Sequence, residues 1–418
     1  MTVGGHDRQI LRDLAAQVAE VAALPVQAER TQLWKDLNGL RPRRPMVLAF
    51  PQSAWRELVP DSSLRCEDPL LRSWELKLRK RLYQHEHICD DFPIDGFFNV
   101  AWVVRLGDFG LPTSFVGQDA LQAGTGSYAW DPPVKAAEHV GKLHVRSIEI
   151  DRNETARQLD LANDILGDLL TVRAQGRLFF SVGMTQSLIE LRGLQQVMVD
   201  MYENPGLVHD LMTLLRDDMA HLLDTFGREG MLTLNNCPMD TDDFVGSGTI
   251  GCTDELPAAD FDGHVRPRDM WGTGESQEFV GVGPDLFHEF ALQYQLPLLG
   301  RYGLVCYGCC EPLDRKLDLL INHIPNLRRV SVSAWCDREV AAEKLGARYV
   351  YSWKPAPSLV AGATVNWEEV ERVTRETMEI ARGCCLEIVL KTTETFGNEP
   401  QRLTRWSEIT SRLAEETA

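Results

Sequence analysis

The sequence predicts an α/β fold: a (β/α)8 TIM barrel with an N-terminal helical extension and capping insertions. Strand and helix patterns alternate regularly beyond Pro284 and give four βα units in succession. Such alternation is typical of a parallel sheet with helices outside it. Counting forward from Met46, with one strand assumed within 93–104, gives about eight strands, the number that closes a barrel.

The composition is that of a globular protein with a large core. The chain has 418 residues, of which 44% are apolar and 25% are charged. Its 43 basic and 61 acidic residues give a net charge of −18, which disfavours nucleic acid or an anionic membrane surface as the main partner. No apolar run approaches the ~20 residues that a membrane span needs. Ten cysteines without a secretion signal predict a reduced, cytoplasmic protein with free thiols.

The first half of the chain divides into an extension and the start of the barrel. Residues 1–45 carry apolar positions at helical spacing on both sides of Pro25, which predicts two outer helices. Residues 46–418 are assigned to the barrel, whose first strand begins at Met46. An amphipathic helix is predicted over 70–90.

Two stretches are predicted to be insertions in the barrel, 92–150 and 236–283. The first mixes aromatic residues with Gly and Pro, which predicts irregular strands and loops that cap one face. The second is rich in Gly and Asp and is too long for an inert connection, so it is expected to carry function or to move. Between them the pattern predicts strands at 177–181 and 231–235, and helices at 185–202 and 205–228.

The remaining elements follow in regular order. Strands are predicted at 303–309, 329–333, 349–353 and 386–391. Helices are predicted at 284–301, 366–382 and 399–416. Two more helices are predicted to follow the strands 303–309 and 329–333 and to end at residues 323 and 345.

The stretch with the most chemistry is 304–312, an apolar run that ends in Cys306, Cys309, Cys310 and Glu311. Strand alternation would place Tyr307, Cys309 and Glu311 on one face, and Cys306 and Cys310 on the other. A thiol and a carboxylate two residues apart suit a thiophilic cation such as zinc, or a nucleophile with a nearby base. The alternative is packing, because free cysteines are often buried.

In a barrel of this kind the active site lies at the carboxyl ends of the strands. This rule gathers residues from the last four strands and from the loop 236–283 into one site. The predicted metal ligands are Cys309, Cys310, Glu311 and Cys336; the predicted catalytic residues are Glu275, Lys354 and Glu394; and the predicted cofactor contacts are Tyr307, Trp353 and Gln277.

Four segments at these strand ends, 307–312, 333–336, 351–355 and 390–394, resemble the uroporphyrinogen decarboxylase-like superfamily. The superfamily includes the decarboxylase, the methylcobamide:coenzyme M methyltransferases and the corrinoid-linked methyltransferases of O-demethylation systems. The resemblance extends over most of the chain from about residue 40, is strongest after residue 270, and implies a (β/α)8 barrel.

The resemblance implies a zinc-dependent methyltransferase that moves a methyl group between a corrinoid, or a methylated small molecule, and a small acceptor. Zinc and a corrinoid are the implied cofactors. The implied partners are a small-molecule substrate and a corrinoid protein, and a homodimer is one of the oligomeric states that stay open. The methyltransferases hold zinc with a His-x-Cys and a later Cys. Here Tyr307 stands at the His position, Cys309 at the Cys position, and Thr393–Glu394 where the later Cys is expected.

Two other functions stay open at this point. A metal-free decarboxylase or lyase would use a carboxylate such as Asp91 and a base such as Lys354 to manage protons. The decarboxylase's Arg-Gln-Ala-Gly-Arg segment is not matched, because residues 50–57 here read Phe-Pro-Gln-Ser-Ala-Trp-Arg-Glu. The third alternative is a non-catalytic barrel that binds a corrinoid or a partner protein.

Overall fold

The computed structural model describes residues 4–116, 129–176, 181–236, 241 and 244–417. Two helices, Gly5–Ala22 and Pro25–Asn38, precede the first strand. The apolar stripe of the first helix packs against helix Pro69–His87, which begins where the Asp68 carboxylate accepts hydrogen bonds from two backbone N–H groups. The predicted outer helices at the N-terminus are therefore present.

The central element is a six-stranded, wholly parallel sheet. Parallel strands need helical crossovers, and the helices after Pro284 supply them. In spatial order the strands are Met46–Ala49 (β1), Cys385–Leu390 (β12), Val350–Trp353 (β11), Leu327–Val332 (β10), Leu304–Tyr307 (β9) and Trp271–Gly274 (β8). The α/β class with a parallel sheet is thus confirmed.

Three two-stranded sheets lie between β1 and β8 in the chain. Phe97–Ala101 (β2) pairs in parallel with Thr171–Gln175 (β7). Two antiparallel pairs are formed by Val104–Leu106 (β3) with Ile148–Ile150 (β6), and by Ser114–Val116 (β4) with Ala129–Asp131 (β5). A single parallel bridge joins Ser181 to Thr273 of β8.

The helices from Thr185 onward pack against one side of the parallel sheet, whereas the N-terminal helices and Pro69–His87 share a core cluster with residues of its other side. The predicted helix at 185–202 is two helices, because Gly193 between them has φ 88°. A π-helical turn, His288–Leu292, joins the two helices that follow Pro284. Beyond the N-terminal pair, the helices are Trp55–Leu58, Pro69–His87, Arg152–Leu166, Thr185–Arg192, Leu194–Glu203, Pro205–Arg228, Pro284–Phe287, Gln293–Leu299, Leu317–His323, Arg338–Leu345, Ser358–Ala361, Trp367–Ile380 and Gln401–Glu416.

One predicted strand is wrong, and two strands, β7 and β8, were not predicted. Residues 231–235 form no strand; instead the Asn235 side chain bonds to both backbone groups of Trp271, at 2.9 and 3.0 Å. Of the two strands that were not predicted, β8 lies inside the predicted loop 236–283. Its Gly272 and Gly274 hide the strand pattern, yet a Cβ on Gly272 would lie 2.3 Å from the ring of Tyr302. The predicted strand at 177–181 lies outside the described residues except for Ser181.

The two faces of the sheet have different neighbours. Side chains such as Val47, Val330 and Ile388 pack under the helices, whereas Met46, Leu48 and Val389 face the opposite side, here called the inner face. The segment 244–252 covers the inner face: a Cβ on Gly246 would lie 2.2 Å from the sulfur of Cys306. This part of the predicted functional loop therefore packs against the inner face of the sheet.

Buried ions join the inner face to that segment. Glu387 on β12 is fully buried and accepts a hydrogen bond from Thr249 at 2.8 Å, and Arg329 Nε lies 3.1 Å from its carboxylate. Lys354 Nζ lies 3.9 Å from the same carboxylate and donates to Ser352. One buried carboxylate thus faces two buried cations.

Within the described ranges, no helix has both the length and the apolar character that crossing a membrane requires.

Candidate functional site

Side chains from the carboxyl ends of β8, β9 and β12 converge at one edge of the sheet. Glu275 follows β8, Cys309 and Cys310 follow β9, and Lys391 follows β12. The ammonium Nζ of Lys391 lies 3.1 Å from Sγ of Cys309, although the two residues are 82 positions apart. The convergence follows from the parallel sheet, because all carboxyl ends of its strands meet at the same edge.

The turn after β9 brings two thiols together. The strand ends at Tyr307, and Gly308 adopts φ 98°, a conformation that favours glycine. A Cβ on Gly308 would lie 2.5 Å from Leu313, so the position is also closely packed. The two sulfurs of Cys309 and Cys310 lie 3.7 Å apart. The predicted alternation, with the two thiols on opposite faces, is wrong because the chain turns at Gly308 instead of continuing as a strand.

The first proton of the thiol pair has a lowered pKa, and the second has a raised pKa. A hydrogen bond from the Cys309 thiol, aided by the nearby Lys391 ammonium, lowers the pKa of Cys310 to about 6. The same sulfur–sulfur hydrogen bond, together with burial, raises the pKa of Cys309. These opposite shifts of pKa favour Cys310 as the thiolate of the pair, with Cys309 as its hydrogen-bond donor. Thiolates stabilised by nearby cations are the reactive form of cysteine.

Glu311 joins the turn after β9 to the loop after β8. Its side chain is fully buried, and its two oxygens accept hydrogen bonds from the backbone N–H groups of Ser276 and Cys309, at 3.0 and 2.9 Å. Burial raises the pKa of Glu311 to about 7. Its contacts indicate that Glu311 positions the two loops.

Glu275 carries a proton at neutral pH. Burial, followed by repulsion from the carboxyl groups of Glu311 and Glu278, raises the pKa of Glu275 to about 8. Ser181 Oγ lies 3.3 Å from its Oε1, and a Cβ on Gly183 would lie 1.8 Å from that oxygen. A carboxyl group in this state can donate a proton to a leaving group.

A groove lies beside the cysteine pair. Its volume is about 560 Å³, and Cys310 and Glu311 are among the residues that line it. Two of its lining side chains are apolar and exposed, Trp335 at 69% and Val280 at 53%. The described lining consists of Gln277, Glu278, Val280, Cys310, Glu311, Pro312 and Trp335.

The two aromatic residues predicted to contact a cofactor lie on the helix-covered face instead. Tyr307 is fully buried; its hydroxyl donates to Gln295 at 2.6 Å, and its ring packs edge-on against Phe287. Trp353 is 2% exposed in the same apolar region. Neither is among the described residues that line the groove, whereas Gln277, the third predicted contact, is.

Three other predicted residues make their described contacts elsewhere. Cys336 is buried under the helices with its sulfur 3.8 Å from the backbone oxygen of Asp337. Glu394 is exposed, and it is its backbone carbonyl that accepts a hydrogen bond from Arg56. Lys354 belongs to the buried ion group of the inner face, where burial lowers its pKa to about 8.

The donor set fits zinc only in part. A sulfur–sulfur distance of 3.7 Å matches the edge of a tetrahedral site, which is about 3.8 Å for Zn–S bonds of ~2.3 Å. Both Glu311 oxygens already accept backbone hydrogen bonds, and the Lys391 ammonium beside Cys309 opposes a further cation. In the part of the chain that the structure describes, no three His, Cys, Asp or Glu side chains are arranged to hold a metal.

Sequence reasoning did not assign roles to Lys391, Ser247, Glu278 and Trp335. The strand-end rule does place Lys391 at this edge, because it ends the last predicted strand, but the rule gives the residue no role. Its partner Ser247, to which it donates, comes from the segment on the inner face. No sequence pattern marks Trp335 or Glu278 as neighbours of the groove.

The chain matches no family model and no curated protein. Among solved structures, a methyltransferase from Methanosarcina mazei is similar to this chain, with a TM-score of 0.46 and 10% sequence identity. The similarity covers 92% of this chain and 98% of that chain. At these values it carries no functional argument.

Proposed function

We propose that this chain is a methyltransferase that moves a methyl group from a methylated donor to a small acceptor at the Cys309–Cys310 pair. The observation that carries the proposal is the approach of the two sulfurs to 3.7 Å, with Lys391 Nζ 3.1 Å from one of them. Methyl transfer needs a soft, polarisable nucleophile at neutral pH, and a stabilised thiolate is such a group.

The other groups at this edge fit the same reaction. The electron pair of the sulfur forms the new bond to the methyl carbon, and the leaving group departs with the pair of the bond that breaks. Glu275 holds a proton at neutral pH and supplies it to a leaving group that needs one. Glu311 fixes the loop that carries the two thiols.

The size of the groove favours a small donor. About 560 Å³ lies within the usual range of pockets for small molecules. A methylated small molecule can therefore enter beside Cys310. A corrinoid is the alternative donor; held on a protein partner, it would dock over the exposed rim that carries Trp335.

Zinc is a separable part of this proposal. Cys309 and Cys310 would hold it, and when bound it would lower the pKa of an acceptor and orient it for attack. Elemental analysis of protein purified without chelators tests this part. About one equivalent of zinc in the wild type, lost in Cys309→Ser, supports it; less than about half an equivalent with unchanged activity after stripping contradicts it.

The closed (β/α)8 barrel is also a proposal, and three contacts support it. The Ser181–Thr273 bridge continues the sheet beyond β8, β7 precedes this bridge and pairs with β2, and the backbone N–H of Asp91 donates to Val47 of β1 at 2.9 Å. Eight strands then run around one circuit. Backbone amide exchange by NMR tests the closure through protection of residues 97–101.

The hypothesis of a metal-free decarboxylase or lyase has less support. Asp91, its suggested carboxylate, accepts two hydrogen bonds from Arg44 at 2.6 and 2.9 Å and a third from the N–H of Val47. This group lies beside β1, whereas Lys354 follows the carboxyl end of β11. Asp91 and Lys354 therefore do not form one site.

A methyl-transfer assay with thiol variants tests the main proposal. We expect Cys310→Ser and Cys309→Ser to lower the rate by about 100-fold or more, because the thiolate or its donor is lost. Cys89→Ser is the matched control, since Cys89 is exposed and belongs to another part of the chain. Full activity in both site variants would contradict the proposal, as would donor or acceptor binding without any turnover by the wild type.

A further inference from the structure

The groove beside Cys310 combines apolar and acidic side chains. Its apolar walls come from Val280, Pro312 and Trp335, and its ionisable carboxyl groups are those of Glu278 and Glu311. No Lys or Arg is among the lining residues that the structure describes. An anionic ligand would find no charged partner in this lining.

Two lysines whose charges act on Cys310 or Glu311 have other hydrogen-bond partners. Lys391 contacts Cys309 and donates to Ser247 on the inner face. Lys316 donates to the backbone oxygen of Phe279 at 2.8 Å and lies 4.7 Å from the ring centre of Phe287. Glu275 is neutral at this edge and Glu311 is buried with both oxygens hydrogen-bonded to the backbone, so Glu278 is the carboxylate of the described lining that can face a ligand in the groove.

Trp335 lines this groove with an exposed indole ring. It lies in the turn after β10 and is 69% exposed. Among the described residues, no ring and no cation packs on its indole. Tryptophan is the side chain that most strongly attracts a cation to its face, and quaternary ammonium groups are recognised this way.

We infer that the groove recognises a methylated onium group, a quaternary ammonium or a tertiary sulfonium, as the methyl donor of the proposed reaction. The inference rests on the proposed function and names its substrate class. The apolar walls suit the methyl groups, while Glu278 and the Trp335 ring suit the positive charge. Such a cation carries its charge without a hydrogen-bond donor, which fits a groove with few polar lining groups.

The chemistry of such a donor balances without a further reagent. The lone pair of a thiolate, that of Cys310 or of an acceptor held beside it, forms the S–C bond to the methyl group. The C–N bond of an ammonium donor breaks, and its electron pair leaves with a neutral tertiary amine. No proton, oxidant or reductant is consumed.

Calorimetric titration of the Cys310→Ser protein tests the recognition separately from the transfer. The probes are choline and its neutral isostere, in which carbon replaces the quaternary nitrogen. We expect choline to bind about 10-fold or more tightly than the isostere. Trp335→Ala should weaken choline by about 10-fold and leave the isostere nearly unchanged, while Trp335→Phe keeps most of the affinity. Glu278→Gln, which keeps the shape and removes the charge, should weaken choline several-fold.

The possible results separate this inference from the proposed function. Equal binding of choline and the isostere, or an unchanged affinity for choline in Trp335→Ala, would overturn the inference. Choline binding by a wild-type protein that transfers no methyl group would support the onium site and contradict the methyltransferase proposal. Methyl transfer from a neutral donor without choline binding would overturn the inference alone. Circular dichroism of each variant checks that it is folded.

Discussion

The reactivity of Cys310 depends on two neighbouring side chains, because an isolated cysteine would not have a lowered pKa. The thiol of Cys309 donates a hydrogen bond to it, and the Lys391 ammonium contributes positive charge. Both effects favour the charged form of the sulfur over the neutral form. Burial works in the opposite direction, so the pKa of about 6 reflects the two neighbours.

We expect the alkylation of Cys310 by iodoacetamide to follow this pKa. The rate should rise through pH 6 and level off above about pH 7, because most of the thiol is by then ionised. Lys391→Met should move the midpoint upward by about one pH unit, since it removes a cation near the thiolate. Peptide mass spectrometry at each pH measures the labelled fraction.

Cys89 is the internal control for this experiment. Burial raises the pKa of its thiol, so its labelling should still be rising at pH 8. A midpoint for Cys310 near the ordinary thiol value of about 8.5 would contradict the proposed thiolate.

The sequence identified part of this site at the residue scale. The strand-end rule placed Glu275, Gln277, Cys309 and Cys310 at the edge where the structure has them. The rule could not tell which way a side chain points at the end of a strand. Trp353, for example, is the last residue of β11 and turns under the helices.

At the scale of single elements, the turn at Gly308 decides the geometry of the thiol pair. Its φ of 98° and the contact with Leu313 both exclude a side chain. A strand pattern in the sequence carries no information about where the strand ends in a turn of this kind. The predicted strand at 303–309 therefore ran two residues beyond Tyr307, and the predicted faces of Cys309 and Cys310 were wrong.

We expect Gly308→Ala to lower the free energy of unfolding by about 1–3 kcal/mol, because alanine is strained at this φ and contacts Leu313. The shifted turn should also separate the two sulfurs. Binding of phenylarsine oxide, which bridges two close thiols, should weaken by about 10-fold or more. Denaturant titration and arsenical titration measure the two effects.

Gly281→Ala is the matched control for the turn. A Cβ on Gly281 would meet no atom within 4 Å, so neither stability nor arsenical binding should change. Unchanged arsenical binding in a destabilised Gly308→Ala protein would show that the turn does not set the sulfur distance.

The missed strand β8 illustrates a second limit at the element scale. Trp-Gly-Thr-Gly has weak strand propensity, and it forms a strand because its neighbours require it to. The ring of Tyr307 lies 2.7 Å from the Cβ that Gly274 lacks, so a larger residue would not fit. Long-range packing of this kind leaves no periodic pattern in the sequence.

At the scale of the whole molecule, the fold holds a charged group at its centre. Arg329, Lys354 and Glu387 come from three adjacent strands, and Thr249 joins them from the segment on the inner face. The regular alternation of strands and helices in the sequence predicted the parallel sheet. It did not predict that the segment 244–252 covers the inner face, because no local pattern records which segment packs on a given face of a sheet.

We expect Glu387→Gln to destabilise the protein by about 3–5 kcal/mol, because it leaves Arg329 and Lys354 buried without a carboxylate. The double variant Glu387→Gln with Lys354→Met should be less destabilised than the single variant, since one of the two stranded cations is then removed. Glu369→Gln is the matched control, because Glu369 pairs with Arg372 at the surface and its loss should leave the unfolding midpoint unchanged. Denaturant titration of the four proteins measures these differences. A double variant that is less stable than Glu387→Gln would mean that Lys354 stabilises the inner face through contacts other than its charge.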